Sequence, residues 1–199
     1  MTDIPIGPQP SLGKGKGFAL VPHPDFPSSA ITAINVTAER NGGSLRFWFK
    51  LVGDIDQVSL PGRCPDCIRT DGLWEHTCFE AFVRVQGKLG YSELNYAPSD
   101  QWAAYSFDDY RKGMRNLESP DGEPFVQFGY RGAEDDWHAW EFQTVEAFEQ
   151  HADWELNLSA IIEAKDGTKS YWALAHAPGP PDFHNRDCFT ARLAAPTRT

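Results

Sequence analysis

The feature that most constrains the fold of this chain is a series of short segments in which apolar and polar residues alternate. The alternation is clear in residues 31–39 and 45–51, and Asn41-Gly42-Gly43 between them is typical of a β-hairpin turn. About nine such segments occur, and no helical pattern of about 10 to 15 residues separates them. The sequence therefore predicts an all-β protein, an antiparallel β-sandwich of jelly-roll or immunoglobulin-like type with short helical turns. A closed β-barrel with a lipocalin-like cavity is the alternative.

The other strands are predicted from the same alternation and from the turn residues between them. They cover residues 77–85, 91–97, 102–107, 125–130, 137–145, 154–163, 170–176 and 188–193. Residues 1–17 are rich in Pro, Gly and Lys and are predicted to form a flexible N-terminal segment, whereas residues 18–199 are predicted to form a single domain. Seven Trp residues and an aromatic content of 13% supply the large side chains that short strands need to bury.

The composition of the chain limits the kinds of partner and the cellular location that we expect. The net charge of −10 argues against nucleic acid, because binding phosphates requires a basic surface that releases counterions. No apolar stretch approaches the roughly 20 residues that cross a bilayer, so no membrane partner is predicted. Residues 1–9 contain no secretory signal pattern. We therefore expect a cytoplasmic protein whose four cysteines are reduced thiols.

Polar residues on two predicted strands are the leading candidates for a functional site. Glu93 and Asn95 share one face of their strand, and a hairpin with the preceding strand sets Glu80 beside either of them. Two buried carboxylates this close do not both ionise unaided. The charge is predicted to be offset by Arg111, by a bound cation such as calcium, or by a shared proton.

Two interpretations of this polar cluster remain open from the residues alone. In the first, Glu and Asn side chains bind the hydroxyls of a sugar while a Trp or Tyr ring covers its apolar face. In the second, the cluster is a buried structural network, with Arg111 as its counter-ion, that fixes the register of the strands. Trp74 and Trp102 lie next to loops, where an aromatic ring could line such a site, although Trp residues in strands are usually core residues.

Several motifs in the chain resemble those of the DOMON-like proteins related to type 9 carbohydrate-binding modules. They are Leu73-Trp74-Glu75, Thr77-Cys78-Phe79-Glu80, Glu93-Leu94-Asn95-Tyr96 with Pro98, Trp102 to Tyr105, Tyr110-Arg111, residues 20–24, residues 173–176 and residues 181–184. The resemblance spans nearly the whole chain. It implies an antiparallel β-sandwich and a non-enzymatic domain that binds a carbohydrate or another small polyhydroxylated molecule, in a branch without an established ligand.

The predicted ligand-binding residues are drawn from these motifs and from the two late histidines. They are Trp74, Glu80, Glu93, Asn95, Trp102, Tyr105, Arg111, His176 and His184. No cofactor is predicted as part of this site.

Three alternatives involve catalysis or a cofactor. A glycan-acting hydrolase could use a pair of carboxylates such as Glu75 and Glu80. Some DOMON domains bind haem through Met and His, and here Met114 with His176 or His184 could supply the axial ligands.

The third alternative is a metal site. Cys64 and Cys67 form a CxxC pair that could be completed by His76 and Cys78 into a four-ligand zinc site. The late segment that contains His176, Asp182 and His184 could also converge on a metal. Neither spacing is diagnostic, so two loop thiols and a hydrogen-bonded loop are the simpler interpretations.

Overall fold

The computed structural model describes residues 15–64, 68–118, 125–131, 137–144 and 148–196, with 125–131 described at the level of the backbone. These residues form twelve strands, and the helical segments among them are three-residue 3₁₀ turns. The strands are β1 Lys16–Pro22, β2 Ile31–Asn41, β3 Ser44–Gly53, β4 Cys78–Val85, β5 Tyr91–Tyr96, β6 Trp102–Phe107, β7 Arg115–Asn116, β8 Phe125–Arg131, β9 Trp137–Thr144, β10 Trp154–Glu163, β11 Lys169–Ala173 and β12 Ala191–Leu193. Across the described segments, no helix is long and apolar enough to span a membrane.

The strands form two antiparallel sheets that share strand β1. The first sheet has the order β8-β9-β3-β2-β1, and the second has the order β1-β11-β10-β4-β5-β6-β7, with β12 paired to β10. Residues 16–20 of β1 pair with β2, and residues 21–22 pair with β11, so β1 passes from one sheet to the other. Within the described residues, the outermost strands β7 and β8 do not pair with each other. The predicted β-sandwich is therefore confirmed, rather than a closed barrel.

The main core lies between the two sheets and follows the predicted alternation. On β3, the predicted inward face is buried, since Leu45, Phe47, Phe49 and Leu51 are at most 1% exposed. These side chains meet the second sheet through aromatic pairs. Phe79 of β4, for example, packs against Phe49 at a ring distance of 5.1 Å. Face-to-face packing of this kind is what holds a sandwich together.

The second sheet also buries residues on its outer face, where a smaller apolar cluster surrounds polar side chains. This second cluster forms because the loops after β6 and β11 cover that face. The two faces of β4 therefore have different roles: Phe79 and Ala81 face the inter-sheet core, whereas Phe82 belongs to the outer cluster. Because strand residues alternate, Glu80 lies on the outer face as well.

The two ends of the chain differ in detail from the predicted boundaries. Strand β1 already begins at Lys16, inside the predicted flexible segment of 1–17, whereas residues 1–14 lie outside the described residues. The predicted closing strand at 188–193 is shorter, because the 3₁₀ turn Arg186–Cys188 precedes β12. Asn185 caps this turn by accepting a hydrogen bond from the backbone N–H of Asp187.

Candidate functional site

A pocket of about 380 Å³ lies on the outer face of the second sheet. Strands β4, β5, β6, β10 and β11 form its floor and sides, and its rim is formed by the 3₁₀ turn before β4 and by the loops after β6 and β11. Its lining residues are Trp74, Glu80, Phe82, Glu93, Phe107, Arg111, Met114, Ile161, Tyr171, Pro181, Phe183 and His184. Five of the nine predicted ligand-binding residues are among them.

Glu80 and Glu93 lie at the bottom of this pocket, where they are 3% and 5% exposed. Glu80 Oε2 accepts a hydrogen bond of 2.9 Å from Ser159 Oγ, on the strand directly opposite. Glu93 Oε1 accepts one of 2.7 Å from Asn95 Nδ2. Among the described residues, neither carboxyl group forms an ion pair with Lys or Arg. The predicted proximity of Glu80, Glu93 and Asn95 on one face is present in the structure.

Burial and proximity determine the protonation of these carboxyl groups. Burial, reinforced by the charge of Glu93, raises the pKa of Glu80 to about 8, and Ser159 and Arg111 only partly oppose this effect. Burial also raises the pKa of Glu93, against the lowering effect of the Asn95 hydrogen bond and Arg111. At neutral pH the pair therefore holds a proton, because two ionised carboxylates without a paired cation would repel each other.

His184 connects these carboxyl groups to the rim. Its Nδ1 lies 2.7 Å from the Tyr91 hydroxyl, and its Nε2 lies 3.6 Å from Glu93 Oε2. The Tyr91 hydroxyl already accepts the backbone N–H of Arg111, so its own proton is available to Nδ1. That tautomer leaves a proton on Nε2, facing Glu93. Burial, and secondarily the charge of Arg111, lowers the pKa of His184 to about 4, so the ring is neutral at pH 7.

Arg111 is held by the loop after β6 and not by the carboxyl pair. Its backbone has a φ of 51°, in the left-handed region, and its guanidinium donates to Asp182 Oδ1 at 2.9 Å. Tyr110 donates its hydroxyl to the other oxygen of Asp182 at 2.8 Å. Arg111 was one of three predicted ways to offset the charge of the carboxylates, and among the described residues it does not pair with them directly, because its guanidinium is hydrogen-bonded to Asp182. Arg111 acts on Glu80 and Glu93 only through space.

Trp74 forms an exposed aromatic part of the rim. It is 38% exposed and lies in a 3₁₀ turn that precedes β4. The ring packs edge-on against Tyr105, with centroids 6.2 Å apart. Tyr105 is buried, and its hydroxyl donates to Asp71 at 2.5 Å. Tyr105 therefore supports Trp74 and does not line the pocket itself.

Three other predicted site residues also lie outside the pocket lining. Trp102 is in the inter-sheet core, on the opposite face of β6 from Tyr105, because an odd spacing in a strand reverses the face. His176 donates from Nε2 to the backbone oxygen of Val21 and so fastens the loop after β11 to β1. Asn95 is fully buried and contributes through its hydrogen bond to Glu93.

The sequence analysis did not predict the apolar walls of the pocket. Phe82 and Phe107 could have been found, because each shares a strand face with a residue of the outer cluster. Tyr171, Pro181 and Phe183 come from β11 and the following loop, and only the pairing of distant strands brings them beside β4. No local pattern in the sequence indicates that pairing.

The structure brings together only some of the residues named for the haem and hydrolase alternatives. Met114 and His184 line the same pocket, but both nitrogens of His184 face other protein groups, so an axial haem ligand would have to give up one of these contacts. His176 lies elsewhere. Glu75 lines a separate pocket of about 260 Å³, so a catalytic pair of Glu75 and Glu80 does not share one site.

The proposed zinc ligands do not assemble in the part of the chain that the structure describes. His76 Nδ1 lies 2.8 Å from Glu163 Oε2, and Cys78 is fully buried with its pKa raised by burial. Cys67 lies outside the described residues. Within those ranges, no group of three His, Cys, Asp or Glu side chains could hold a metal ion.

Comparison with known proteins reveals similarity of fold. No family model matches the chain, and no curated protein matches it by sequence. A protein from Bacteroides uniformis, provisionally described as carbohydrate-binding, superposes with a TM-score of 0.61 at 16% identity, over 88% of this chain and 84% of that one.

Two structures of a family 9 carbohydrate-binding module from Caldicellulosiruptor kristjanssonii also superpose on the whole chain. The complex with cellotriose gives a TM-score of 0.55 at 6% identity and is covered over 92% of its length. The complex with glucose gives 0.51 at 8% identity and is covered over 93%. At these identities the comparisons establish the β-sandwich fold.

Proposed function

We propose that the protein is a non-enzymatic binding domain whose outer-face pocket holds a carbohydrate or a similar small polyhydroxylated molecule. The observation that carries this proposal is the position of the exposed Trp74 ring at the rim of a pocket whose floor is Glu80 and Glu93. We also propose that the chain is related to the DOMON-like proteins and acts in the cytoplasm, as the sequence predicts.

The chemistry of the pocket suits a sugar because both kinds of group that a pyranose needs are present. A pyranose ring has an apolar face that stacks on an aromatic ring, and hydroxyls that need donors and acceptors. Trp74 and Tyr171 supply aromatic surface, while Glu80, Glu93 and His184 supply polar atoms. A mostly apolar pocket with a few convergent polar groups is typical of small-molecule sites, and 380 Å³ lies within their range of about 300 to 1,000 Å³.

The structural neighbours support this proposal in a coarser way. Two of them are family 9 carbohydrate-binding modules with cellotriose or glucose bound, and the third is provisionally described as carbohydrate-binding. Sandwiches of this architecture therefore hold sugars in other proteins. The argument for this chain rests on its own pocket, because fold alone does not determine function.

The test is a glycan array with the full-length protein, followed by isothermal titration calorimetry on the hits. We expect Trp74→Ala to weaken binding by about tenfold, which is about 1.4 kcal/mol, because the stacking surface is removed. The free energy of unfolding should change by less than about 1 kcal/mol, since Trp74 is 38% exposed.

The matched control is Trp137→Ala. Trp137 is a partly exposed Trp on β9, in the other sheet, where it contacts Lys50. This variant should bind as the wild type does. An array without hits would overturn the proposal, and so would hits whose affinity is the same in Trp74→Ala as in Trp137→Ala.

A further inference from the structure

The charges around the pocket do not balance. Arg111 is the only Lys or Arg among the described lining residues, and its guanidinium is hydrogen-bonded to Asp182. His184 is neutral at pH 7, because burial lowers its pKa to about 4. Glu80 and Glu93 therefore remain as two acidic groups with which no Lys or Arg of the described residues forms an ion pair.

Each of these carboxyl groups also has one oxygen without a hydrogen bond. In the described residues, no group donates to Glu80 Oε1, and the nearest donor to Glu93 Oε2 is His184 Nε2 at 3.6 Å, which is beyond hydrogen-bond distance. Both side chains are more than nine-tenths buried and line the pocket. Because both groups line the pocket, these two oxygens are open to a donor that a ligand supplies.

The pocket wall is made of aromatic rings, which also favour a cation. Trp74, Phe82, Phe107, Tyr171 and Phe183 line the cavity around the two carboxyl groups. The faces of such rings carry partial negative charge and attract ammonium groups. Aromatic walls above an unpaired carboxylate are a suitable environment for a protonated amine.

We infer that the ligand of this pocket carries a protonated amino group, which binds Glu80 and Glu93, so that the site selects amino sugars over neutral sugars. This inference rests on the proposed function and specifies the class of sugar. An ammonium group donates three hydrogen bonds. It can therefore reach both open oxygens while the hydroxyls of the same ring contact the other polar groups and Trp74 covers the apolar face.

The test compares trisaccharides that differ in one substituent per ring. The β-1,4-linked glucosamine trimer carries an ammonium group where cellotriose carries a hydroxyl, and the N-acetylated trimer is its neutral derivative. Titration calorimetry at about 0.15 M salt, where long-range attraction to an acidic protein is screened, should show the glucosamine trimer binding at least about tenfold more tightly than either neutral trimer.

Variants show whether this preference comes from the pocket. Glu80→Gln and Glu93→Gln should each reduce the preference to about threefold or less, because one charge of the pair is lost. Glu155→Gln, on the surface of β10, should keep the full preference. Glu155 pairs with Arg84 and does not line the pocket.

Proton release is a second measurement. The groups that titrate or carry charge around the site are Cys78 on β4, Tyr91 and Glu93 on β5, Tyr105 on β6, Arg111 after β6, and Asp182 and His184 after β11. The proton held by Glu80 and Glu93 must leave when an ammonium group binds there. At about pH 6.5, below the pKa of about 7.7 to 8.0 of an α-amino group, calorimetry in buffers of different ionisation enthalpy should show proton release with the glucosamine trimer and none with cellotriose.

The outcomes separate this inference from the proposed function. If cellotriose binds as tightly as the glucosamine trimer, the inference is wrong and the proposed function stands. An unchanged preference in Glu80→Gln and Glu93→Gln would also overturn the inference, since the attraction would then come from the protein surface. If no trimer binds and 1,4-diaminobutane does, the site recognises an amine without a sugar, and both the proposed function and the amino-sugar assignment fail. If none of these probes binds, the inference fails, and the glycan array alone decides the proposed function.

Discussion

Replacing Glu80 by Gln should stabilise the protein at alkaline pH. Burial raises the pKa of Glu80 from 4.5 to about 8, and no Lys or Arg of the described chain pairs with it. A glutamine has nearly the shape of the protonated glutamic acid and never ionises. The variant therefore keeps the form that the folded wild type prefers at low pH and avoids the charge that the wild type must bury at high pH.

The size and sign of the effect follow from linkage between protonation and folding. A carboxyl group whose pKa is higher in the folded state contributes stability that is complete below pH 4.5 and is lost as the pH rises through about 8. At about 1.4 kcal/mol per pH unit, the limit of this loss is about 5 kcal/mol. Water and counterions reach the group through the open pocket, so we expect about 2 to 3 kcal/mol, roughly half of the limit.

Urea unfolding at about pH 5, 7 and 9, followed by Trp fluorescence, measures this difference. Glu80→Gln should match the wild type to within about 1 kcal/mol at pH 5 and should exceed it by about 2 to 3 kcal/mol at pH 9. Glu149→Gln is the control, because Glu149 is on the surface beside Lys88, which lowers its pKa, and this variant should show no alkaline gain. If Glu80→Gln is less stable than the wild type at every pH, Glu80 is ionised and paired with a cation, and the reasoning fails.

Two further predictions concern His184 and the core. The pKa of His184 falls from 6.5 to about 4 on folding, so its contribution to stability is complete above pH 6.5 and is lost as the pH falls towards 4. His184→Gln should therefore weaken the acid-induced loss of stability in that interval, and a loss equal to that of the wild type would contradict the assignment of a neutral ring. Phe142→Ala should cost about 3 to 5 kcal/mol of unfolding free energy, because Phe142 is fully buried and stacks on Tyr96 at 4.4 Å between the sheets. Phe26→Ala, at a site that is 38% exposed, should cost much less in the same urea titration.

The parts of the fold that the sequence predicted are those determined by neighbouring residues. The hairpin of β2 and β3 could be predicted from the sequence because alternation and turn residues are local signals. In the structure, its register places Asn41 opposite Ser44 across the turn. Strand β1 could not be predicted from the sequence. Only Leu20 of its residues is buried, so β1 lacks a repeated apolar face. Its place between the two sheets is set by pairing with β11, about 150 residues later.

The candidate site also has parts that local sequence patterns predict and parts that they do not. Period-two alternation was enough to place Glu80, Glu93 and Asn95 on a common face, and the structure brings them together. The same rule, applied consistently, would have separated Trp102 from Tyr105. The partner of Arg111 could not be predicted, because Asp182 is 71 positions away in a loop whose path depends on the whole second sheet.

The alternation of strand β4 also explains how the fold tolerates a buried carboxyl group. Phe79 and Ala81 complete the inter-sheet core, while Glu80, between them in sequence, faces the opposite side. The cost of burying a carboxyl group is therefore separated from the core that stabilises the fold.

A purely structural network would be expected to satisfy its polar atoms. Within the described residues, Asn95 Oδ1 and Asn157 Oδ1 are buried without partners, and no side chain donates a hydrogen bond to Glu80 Oε1, which lines the pocket. Such incomplete satisfaction is typical of binding sites, which give up stability for function, and it favours a ligand site over a network that only fixes strand register.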